Sequence, residues 1–221
     1  MGQQRNLNTL IIMLYEIFDH MHLSSDEAVR EMLPLVSEQR RQQALRYQHT
    51  FGQFCCLKSY LMLLELLAAV YPELDKAKPE FGYTEKGKPF LLDRPDIHFS
   101  ISHTKNAILV AIADAPIGVD IEAFRSPSAA LIARTMNATE QAAIAASAAA
   151  TLEPPATREA RFSAIWTRKE AVLKLRGTGI EGDLREVLSG SETILTRIFP
   201  RKGYAFSIAQ QAISPFESFP C

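Results

Sequence analysis

The chain has 221 residues, with 24 lysines and arginines against 25 aspartates and glutamates, so its formal net charge is −1. A hydrophobic fraction of 47% is ordinary for a globular protein and excludes a disordered, collagen-like or low-complexity chain. The balanced charge argues against a dedicated nucleic-acid binder, because such proteins carry a basic excess.

No stretch is typical of a membrane span. The most apolar segment, Leu57 to Tyr71, contains Lys58 and Glu65 and is shorter than a spanning helix. Residues 9–14 are apolar but lack a small-residue cleavage pattern, so we expect no signal peptide. The three cysteines have no metal-type spacing and favour reduced thiols, which predicts a cytoplasmic protein.

The chain is predicted to begin with a strand and two helices. Thr9 to Phe18 is a short apolar run typical of a buried strand. Two serines followed by Asp26 mark one helix start. A second helix starts at Ser37 and becomes apolar from Phe51 onward; we expect a break near Gly52 and an end before residue 72, a proline.

Three strands follow in the middle of the chain. After a turn from Tyr83 to Pro89, two strands, Ile97 to Ser102 and Ala107 to Ala113, are joined by a short polar connection typical of a hairpin. A proline and a glycine then lead into a strand from Val119 to Glu122.

The second half is predicted to follow the same order. An alanine-rich helix covers Leu131 to Ala149, and a long helix covers Arg158 to Arg176 with a glycine after it. Tyr204 to Ala209 alternates large apolar residues and predicts a last strand. The order is therefore β-α-α-β-β and then β-α-α-β, and the chain is expected to divide near residue 115.

Two acidic residues form the first candidate site. Asp120 and Glu122 are two positions apart, and alternate residues of a strand share a face. Adjacent carboxylates repel each other unless a cation lies between them, and hard oxygen ligands favour Mg²⁺ or Mn²⁺ over zinc. The alternative is a pair of solvated carboxylates on an exposed face, since this triplet is common.

The second cluster is W-T-R-K-E-A-V-L-K, from Trp166 to Lys174 in the long helix. Glu170 and Lys174 are four residues apart and share a helix face. An ordinary surface ion pair there would contribute at most ~0.5 kcal/mol. Trp166, one turn earlier, argues against a fully solvated face.

The third cluster is G-K-P at Gly87 to Pro89 followed by F-S-I-S-H-T at Phe99 to Thr104. It contains Lys88 and His103, which are donors to anions. A lone histidine at a strand end is more often structural. This one follows two serines and lies across a hairpin from the predicted strand that carries Asp120 and Glu122.

Together the three clusters resemble the signature of 4′-phosphopantetheinyl transferases. The resemblance rests on G-V-D-I-E at Gly118 to Glu122, followed about fifty residues later by W-x-x-K-E-A-x-x-K and preceded by G-K-P and F-S-I-S-H-T. The chain is longer than the short trimeric carrier-protein synthases of this superfamily and is similar to the Sfp type. In that type, two similar halves form a pseudo-dimer within one chain.

The resemblance implies an α+β fold of two similar subdomains, each a small, mainly antiparallel sheet packed with helices. Residues 1–115 would form an N-terminal subdomain that contacts coenzyme A. Residues 116–221 would carry the metal and catalytic residues, with the active site between the subdomains. We expect the protein to act as a monomer.

The resemblance also implies a reaction. The phosphopantetheine group of coenzyme A would be transferred to a serine of an acyl or peptidyl carrier protein, with release of adenosine 3′,5′-bisphosphate. Asp120, Glu122 and Glu170 would hold Mg²⁺, and Glu170 would also accept the proton of the serine. Lys174 would neutralise or protonate the leaving phosphate.

Several residues are implied as coenzyme contacts. They are Lys88, Ser102 and His103 in the third cluster, Lys169 and Lys174 in the second, and Arg40 upstream.

The sequence departs from the family pattern at three places. A further basic residue expected near the 3′-phosphate is replaced at Cys55 and Cys56, where Lys58 could substitute. Ser100 stands where the family often has asparagine, and Thr104 where it often has serine.

The partner would be an acidic carrier protein. From Arg158 to Arg185 there are seven lysines and arginines against four acidic residues, an excess that suits such a partner.

Two other functions fit part of the pattern. The carboxylates alone would serve another Mg²⁺-dependent phosphoryl or nucleotidyl transferase or hydrolase, although the sequence has no G-x-x-x-x-G-K-[ST] motif. The other alternative is a non-catalytic protein that binds carriers. The presence of all three carboxylates together with Lys174 argues against it.

Overall fold

The computed structural model describes residues 13–74, 78–146, 156–179 and 181–212. The strands are β1 (Met13–Phe18), β2 (Phe81–Tyr83), β3 (Pro89–Leu91), β4 (His98–His103), β5 (Ile108–Ala113), β6 (Ile117–Ala123), β7 (Thr193–Phe199) and β8 (Tyr204–Gln210). The helices are α1 (Asp26–Met32), α2 (Glu38–Leu45), α3 (Thr50–Val70), α4 (Ala129–Thr135), α5 (Ala138–Ala145) and α6 (Arg158–Arg176).

Two three-stranded antiparallel sheets share one topology. The first has the order β1-β5-β4, and the second has the order β6-β8-β7. In each sheet the first strand pairs with the last, helices follow the first strand, and the remaining strand lies on the far edge. The predicted α+β fold of two similar subdomains is confirmed. A two-stranded ribbon of β2 and β3 lies between α3 and β4 in the chain.

Strand β5 is buried on both faces and joins the two sheets. Ile108, Val110 and Ile112 belong to the core around α3, whereas Leu109 and the β5 alanines belong to the core around β6 and β8. The strand therefore lies inside the molecule, which explains its continuous apolar sequence.

Helix α3 is the central helix of the first core. It is long and apolar enough to cross a membrane by length and composition alone. Its buried residues include Leu57, Tyr60, Met62 and Leu63, all with 0% exposure. Packing within this core accounts for its apolar sequence.

Side-chain caps set most helix starts. Ser25, Ser37 and Thr157 each accept a hydrogen bond from a backbone N–H of the first turn that follows them. Gly177, with a φ of 69°, ends α6 in the left-handed conformation that glycine adopts without strain.

Two predicted boundaries were wrong, and one strand was not predicted. The break after α2 lies at residues 46–49, and Gly52 lies in the first turn of α3, where the Tyr47 ring packs against it. The single alanine-rich helix is two helices, because Asn137 and Glu140 form a capping box that starts α5. Strand β7 was not predicted, since its partly exposed residues do not alternate cleanly.

Some expectations lie outside the described residues. These are the start of the first predicted strand at residues 9–12, the end of the alanine-rich helix at residues 147–149, and Cys221.

Candidate active site

A seam of side-chain hydroxyls joins the two sheets beside the predicted site. Ser100 and Ser102 of β4, and Thr104 directly after it, each accept a hydrogen bond from an alternate backbone N–H of β6. Val119 donates to Ser100 at 3.0 Å, Ile121 to Ser102 at 3.3 Å, and Ala123 to Thr104 at 3.2 Å. Two strands from different sheets are therefore held in register without a backbone ladder. The seam also gives a role to Ser100 and Thr104, two of the three departures from the family pattern, because each supplies a hydroxyl to it.

Helix α6 crosses β6 at very short range. A Cβ atom added to Gly118 would overlap the carbonyl oxygen of Ala171 and the backbone of Leu175. On the same side, Thr167 of α6 is hydrogen-bonded to Ser207 of β8 at 2.9 Å. This contact brings the helix that carries Glu170 and Lys174 against the strand that carries Asp120 and Glu122.

Asp120 is the buried centre of the site, with 4% of its surface exposed. Its Oδ1 accepts hydrogen bonds from Ser102 Oγ and from Lys174 Nζ, both at 2.8 Å. Its Oδ2 is buried and has no hydrogen-bond partner among the described residues. Oδ1 thus accepts two hydrogen bonds, while Oδ2 is free to accept one.

The three carboxylates influence each other electrostatically. Burial raises the pKa of Glu122, and the charges of Asp120 and Glu170 raise it further, against the opposing charges of Arg125 and Lys174. Burial and the charge of Asp120 likewise raise the pKa of Glu170. The positive charges of Arg125 and Lys174 therefore do not fully offset the burial and mutual repulsion of the three carboxylates.

These residues fit a hard divalent cation that completes its coordination with ligands from outside the protein. Within the described ranges, no three acidic, histidine or cysteine side chains form a metal site by themselves. Asp120 Oδ2 is an orphaned acceptor beside two further carboxylates. Mg²⁺ is commonly held by one or two carboxylates together with water and substrate phosphates, which is the arrangement that this donor set suits.

A groove runs along this cluster. A pocket of about 280 Å³ is lined by Lys86 to Pro89 and Phe99 to Ile101 on one side and by Glu170, Lys174 and the glycines after α6 on the other. A second pocket, of about 220 Å³, shares three of these lining residues and extends to Arg40, Cys56 and His103. The shared residues are Pro89, Phe99 and Ile101. The two pockets form one groove between residues of both halves.

Lys88 lines the groove but directs its ammonium group to the end of α6. Its Nζ donates to the carbonyl of Leu175 at 2.9 Å and lies 3.5 Å from that of Ile117. Burial lowers the pKa of Lys88. The ammonium group of Lys88 thus contacts the end of α6, whereas Lys88 was expected from the sequence to contact the coenzyme.

Arg40 is buried at the far end of the groove. Its guanidinium lies 4.5 Å from the ring centroid of Phe81 and 5.1 Å from that of Tyr60, and its Nη1 lies 3.5 Å from Cys56 Sγ. Its Nε is buried without a hydrogen-bond partner among the described residues. Arg40 therefore retains donor capacity for an anion in the groove.

His103 lines the same pocket from the end of β4. Its ring is exposed at the surface of the groove, yet the surrounding protein and the charge of Lys174 lower its pKa.

Two basic residues do not face the groove. Lys169 is 1% exposed, pairs with Glu140 at 2.7 Å and donates to the carbonyl of Leu184 at 2.8 Å. The expectation that Lys169 contacts the coenzyme is therefore corrected. The position of Lys169 on α6 directs its side chain toward the protein core. Lys58 lies over the Phe18 ring, 4.9 Å from its centroid, and does not replace the missing basic residue at Cys55 and Cys56.

The structure also reassigns Ser102, which was expected to contact phosphate. A serine has one proton to donate, and Ser102 donates it to Asp120. The serines and threonine at alternate positions 100, 102 and 104 are the sequence signal that could have indicated this seam.

Comparison with known proteins places these features in a family. Residues 116–212 match the 4′-phosphopantetheinyl transferase superfamily. A 4′-phosphopantetheinyl transferase of Bacillus subtilis is 30% identical over 167 residues, which cover 76% of this chain and 71% of the relative. The 4′-phosphopantetheinyl transferase Sfp of Bacillus subtilis strain 168 is 29% identical over the same shares. AcpT of Salmonella typhi is 32% identical over 119 residues, 52% of this chain and 57% of the relative.

The chain belongs to the 4′-phosphopantetheinyl transferase superfamily. Within it, the chain is similar to the Sfp protein and its Bacillus relatives over about three quarters of its length.

Proposed function

We propose that this protein transfers the 4′-phosphopantetheine group of coenzyme A to a serine of a carrier protein and releases adenosine 3′,5′-bisphosphate. The observation that carries the proposal is the contact of Lys174 with buried Asp120 beside Glu122 and Glu170, at one end of a groove lined by both halves. The relatives are named for this activity.

Asp120, Glu122 and Glu170 are the residues that would hold Mg²⁺. When bound, the ion neutralises charge on the pyrophosphate of coenzyme A. Two observations support this role: Asp120 Oδ2 has no hydrogen-bond partner among the residues that the structure describes, and the carboxylates repel each other. Mn²⁺ suits the same oxygen ligands.

Glu170 accepts the proton of the carrier serine as its oxygen attacks phosphorus. The raised pKa of this carboxyl makes it a stronger base than a solvated glutamate. Lys174, whose side chain is 34% exposed, reaches the groove and stabilises the charge that develops on the leaving phosphate.

Arg40 and His103 bind the 3′-phosphate of the coenzyme at the other end of the groove. Residues 1–115 then supply the coenzyme-binding subdomain and residues 116–221 the catalytic one. The carboxylate strand and α6 both belong to the second of these.

The carrier protein is proposed to be acidic and to meet the exposed basic residues around α6, such as Arg158 and Arg168. We further propose a cytoplasmic monomer, with the carrier supplied by fatty-acid, polyketide or nonribosomal-peptide biosynthesis.

The test is to incubate apo-carrier protein with coenzyme A, Mg²⁺ and the enzyme, and to measure the carrier mass. A mass gain of one phosphopantetheine is expected, and Glu170→Gln should abolish it. Glu31→Gln, an exposed change on α1, is the matched control and should retain the full rate. Hydrolysis of a nucleotide without carrier modification would support the phosphoryl-transfer alternative. Carrier binding without modification would support a non-catalytic protein.

A further inference from the structure

The hydroxyl of Ser102 has a single orientation available. Its oxygen accepts a hydrogen bond from the Ile121 N–H at 3.3 Å and lies 2.8 Å from Asp120 Oδ1. A carboxylate cannot donate, so the one serine proton must lie between Ser102 and Asp120. Ser102 is 7% exposed, so water does not compete freely for this proton.

The second donor to Asp120 uses the same oxygen. Lys174 Nζ also lies 2.8 Å from Oδ1, whereas Oδ2 is buried and unpartnered among the described residues. A carboxylate held on one side by two donors has a fixed plane. The remaining oxygen, Oδ2, therefore has a defined position, although no residue in the described part of the chain is hydrogen-bonded to it.

We propose that Ser102 is a positioning residue for the metal site: by holding Oδ1 of Asp120 together with Lys174, it keeps Oδ2 free and aimed for a divalent cation. The inference rests on the proposed function in that it assumes Asp120 is a metal ligand. In this proposal, Ser102 contacts Asp120, the metal ligand, and does not contact the coenzyme.

The seam between β4 and β6 provides a matched control. Thr104 makes the same kind of bond, from the Ala123 N–H to its side-chain hydroxyl at 3.2 Å, and it does not contact Asp120. Thr104→Val and Ser102→Ala thus each remove one hydroxyl from the seam, but only Ser102→Ala removes the donor to the carboxylate. Ser102→Thr keeps a hydroxyl at the position.

The experiment measures Mn²⁺ binding by electron paramagnetic resonance of the free ion, without coenzyme or carrier. Loss of a hydrogen bond to a metal ligand lowers metal affinity by about 10- to 100-fold. We expect a weakening in this range for Ser102→Ala, affinity within about twofold of the unmodified protein for Thr104→Val, and partial recovery in Ser102→Thr.

Steady-state kinetics separate this role from a coenzyme contact. The Mg²⁺ concentration for half-maximal activity should rise in Ser102→Ala, while the KM for coenzyme A at saturating Mg²⁺ should stay unchanged. Unchanged Mn²⁺ affinity in Ser102→Ala, equal weakening in Thr104→Val, or an absence of Mn²⁺ binding in the unmodified protein would each overturn the inference. Mn²⁺ binding that responds to Ser102→Ala in a protein unable to modify a carrier would support the inference and refute the proposed function.

Discussion

Gly118 of β6 lies directly against the backbone of α6 at Leu175, with no room for a side chain between them. The position requires glycine for its lack of a Cβ atom. The contact sets the distance between the strand with Asp120 and the helix with Lys174.

Gly118→Ala should separate α6 from β6. The new methyl group would overlap backbone atoms, which cannot rotate away, and overpacking of this kind costs about 1–3 kcal/mol. We expect a lower melting temperature and a large loss of transfer rate, measured by thermal unfolding and by carrier mass. Gly52→Ala is the control, since its nearest neighbour is the exposed ring of Tyr47, which can move. Equal transfer rates in the two variants would contradict this account.

Lys169→Met should destabilise the protein strongly. It would leave the Glu140 carboxylate buried without its ion-pair partner, and breaking a buried pair in this way costs about 3–5 kcal/mol. The measurement is the free energy of unfolding from urea titration. Adding Glu140→Gln removes the stranded charge and should recover part of the loss. A stability change below about 1 kcal/mol in Lys169→Met would place the pair in a more solvated setting than the structure does.

The double variant Cys55→Ser/Cys56→Ser should keep transfer activity. The proposed reaction forms a phosphodiester and needs no protein thiol, and burial beside Cys56 raises the pKa of Cys55 to about 12, which keeps it protonated. Stability should fall, because both side chains are buried and a hydroxyl is costly to bury without a partner. Complete loss of transfer in a folded double variant would indicate thiol chemistry.

Coenzyme A should bind more tightly than 3′-dephospho-coenzyme A. Arg40 and His103 line one pocket, and each charge-assisted hydrogen bond to phosphate contributes ~1.5–3 kcal/mol. At ~1.4 kcal/mol per tenfold, loss of one bond weakens binding roughly ten- to a hundredfold. Calorimetric titration with Mg²⁺ present gives both affinities.

His103→Ala should reduce this preference, since one donor is already removed. Its matched control is His22→Ala, a surface histidine that does not line the groove. Equal affinities of the unmodified protein for the two ligands would show that the 3′-phosphate is solvated and that His103 is structural.

The periodicity of the sequence was sufficient to pair residues within one element. Spacing of two in a strand predicted that Asp120 and Glu122 share a face, and spacing of four predicted the same for Glu170 and Lys174. The charges of these residues do interact, as the shifted pKa values of both glutamates show. The helix boundaries marked by Ser25, Ser37 and Gly177 follow from local capping chemistry.

Contacts between elements could not be predicted in the same way. Lys169 and Lys174 have the same chemistry and lie on different faces of one helix, but the sequence does not show that the face with Lys169 packs into the core against Glu140. The bond from Lys88 to the Leu175 carbonyl joins residues 87 positions apart in the chain. Such long-range contacts depend on how sheets and helices pack against each other. The local residue pattern of a single sequence does not predict that packing.

Strand β5 has a consequence for how the molecule comes apart. Because its two faces contribute to the cores of both halves, separating the halves would expose a hydrophobic surface on whichever piece kept the strand. Proteolysis between residues 113 and 117 should therefore yield two fragments that stay associated, and heating should give one unfolding transition. The boundary between the two similar subdomains would thus be visible in the topology but would give no separate transition in calorimetry.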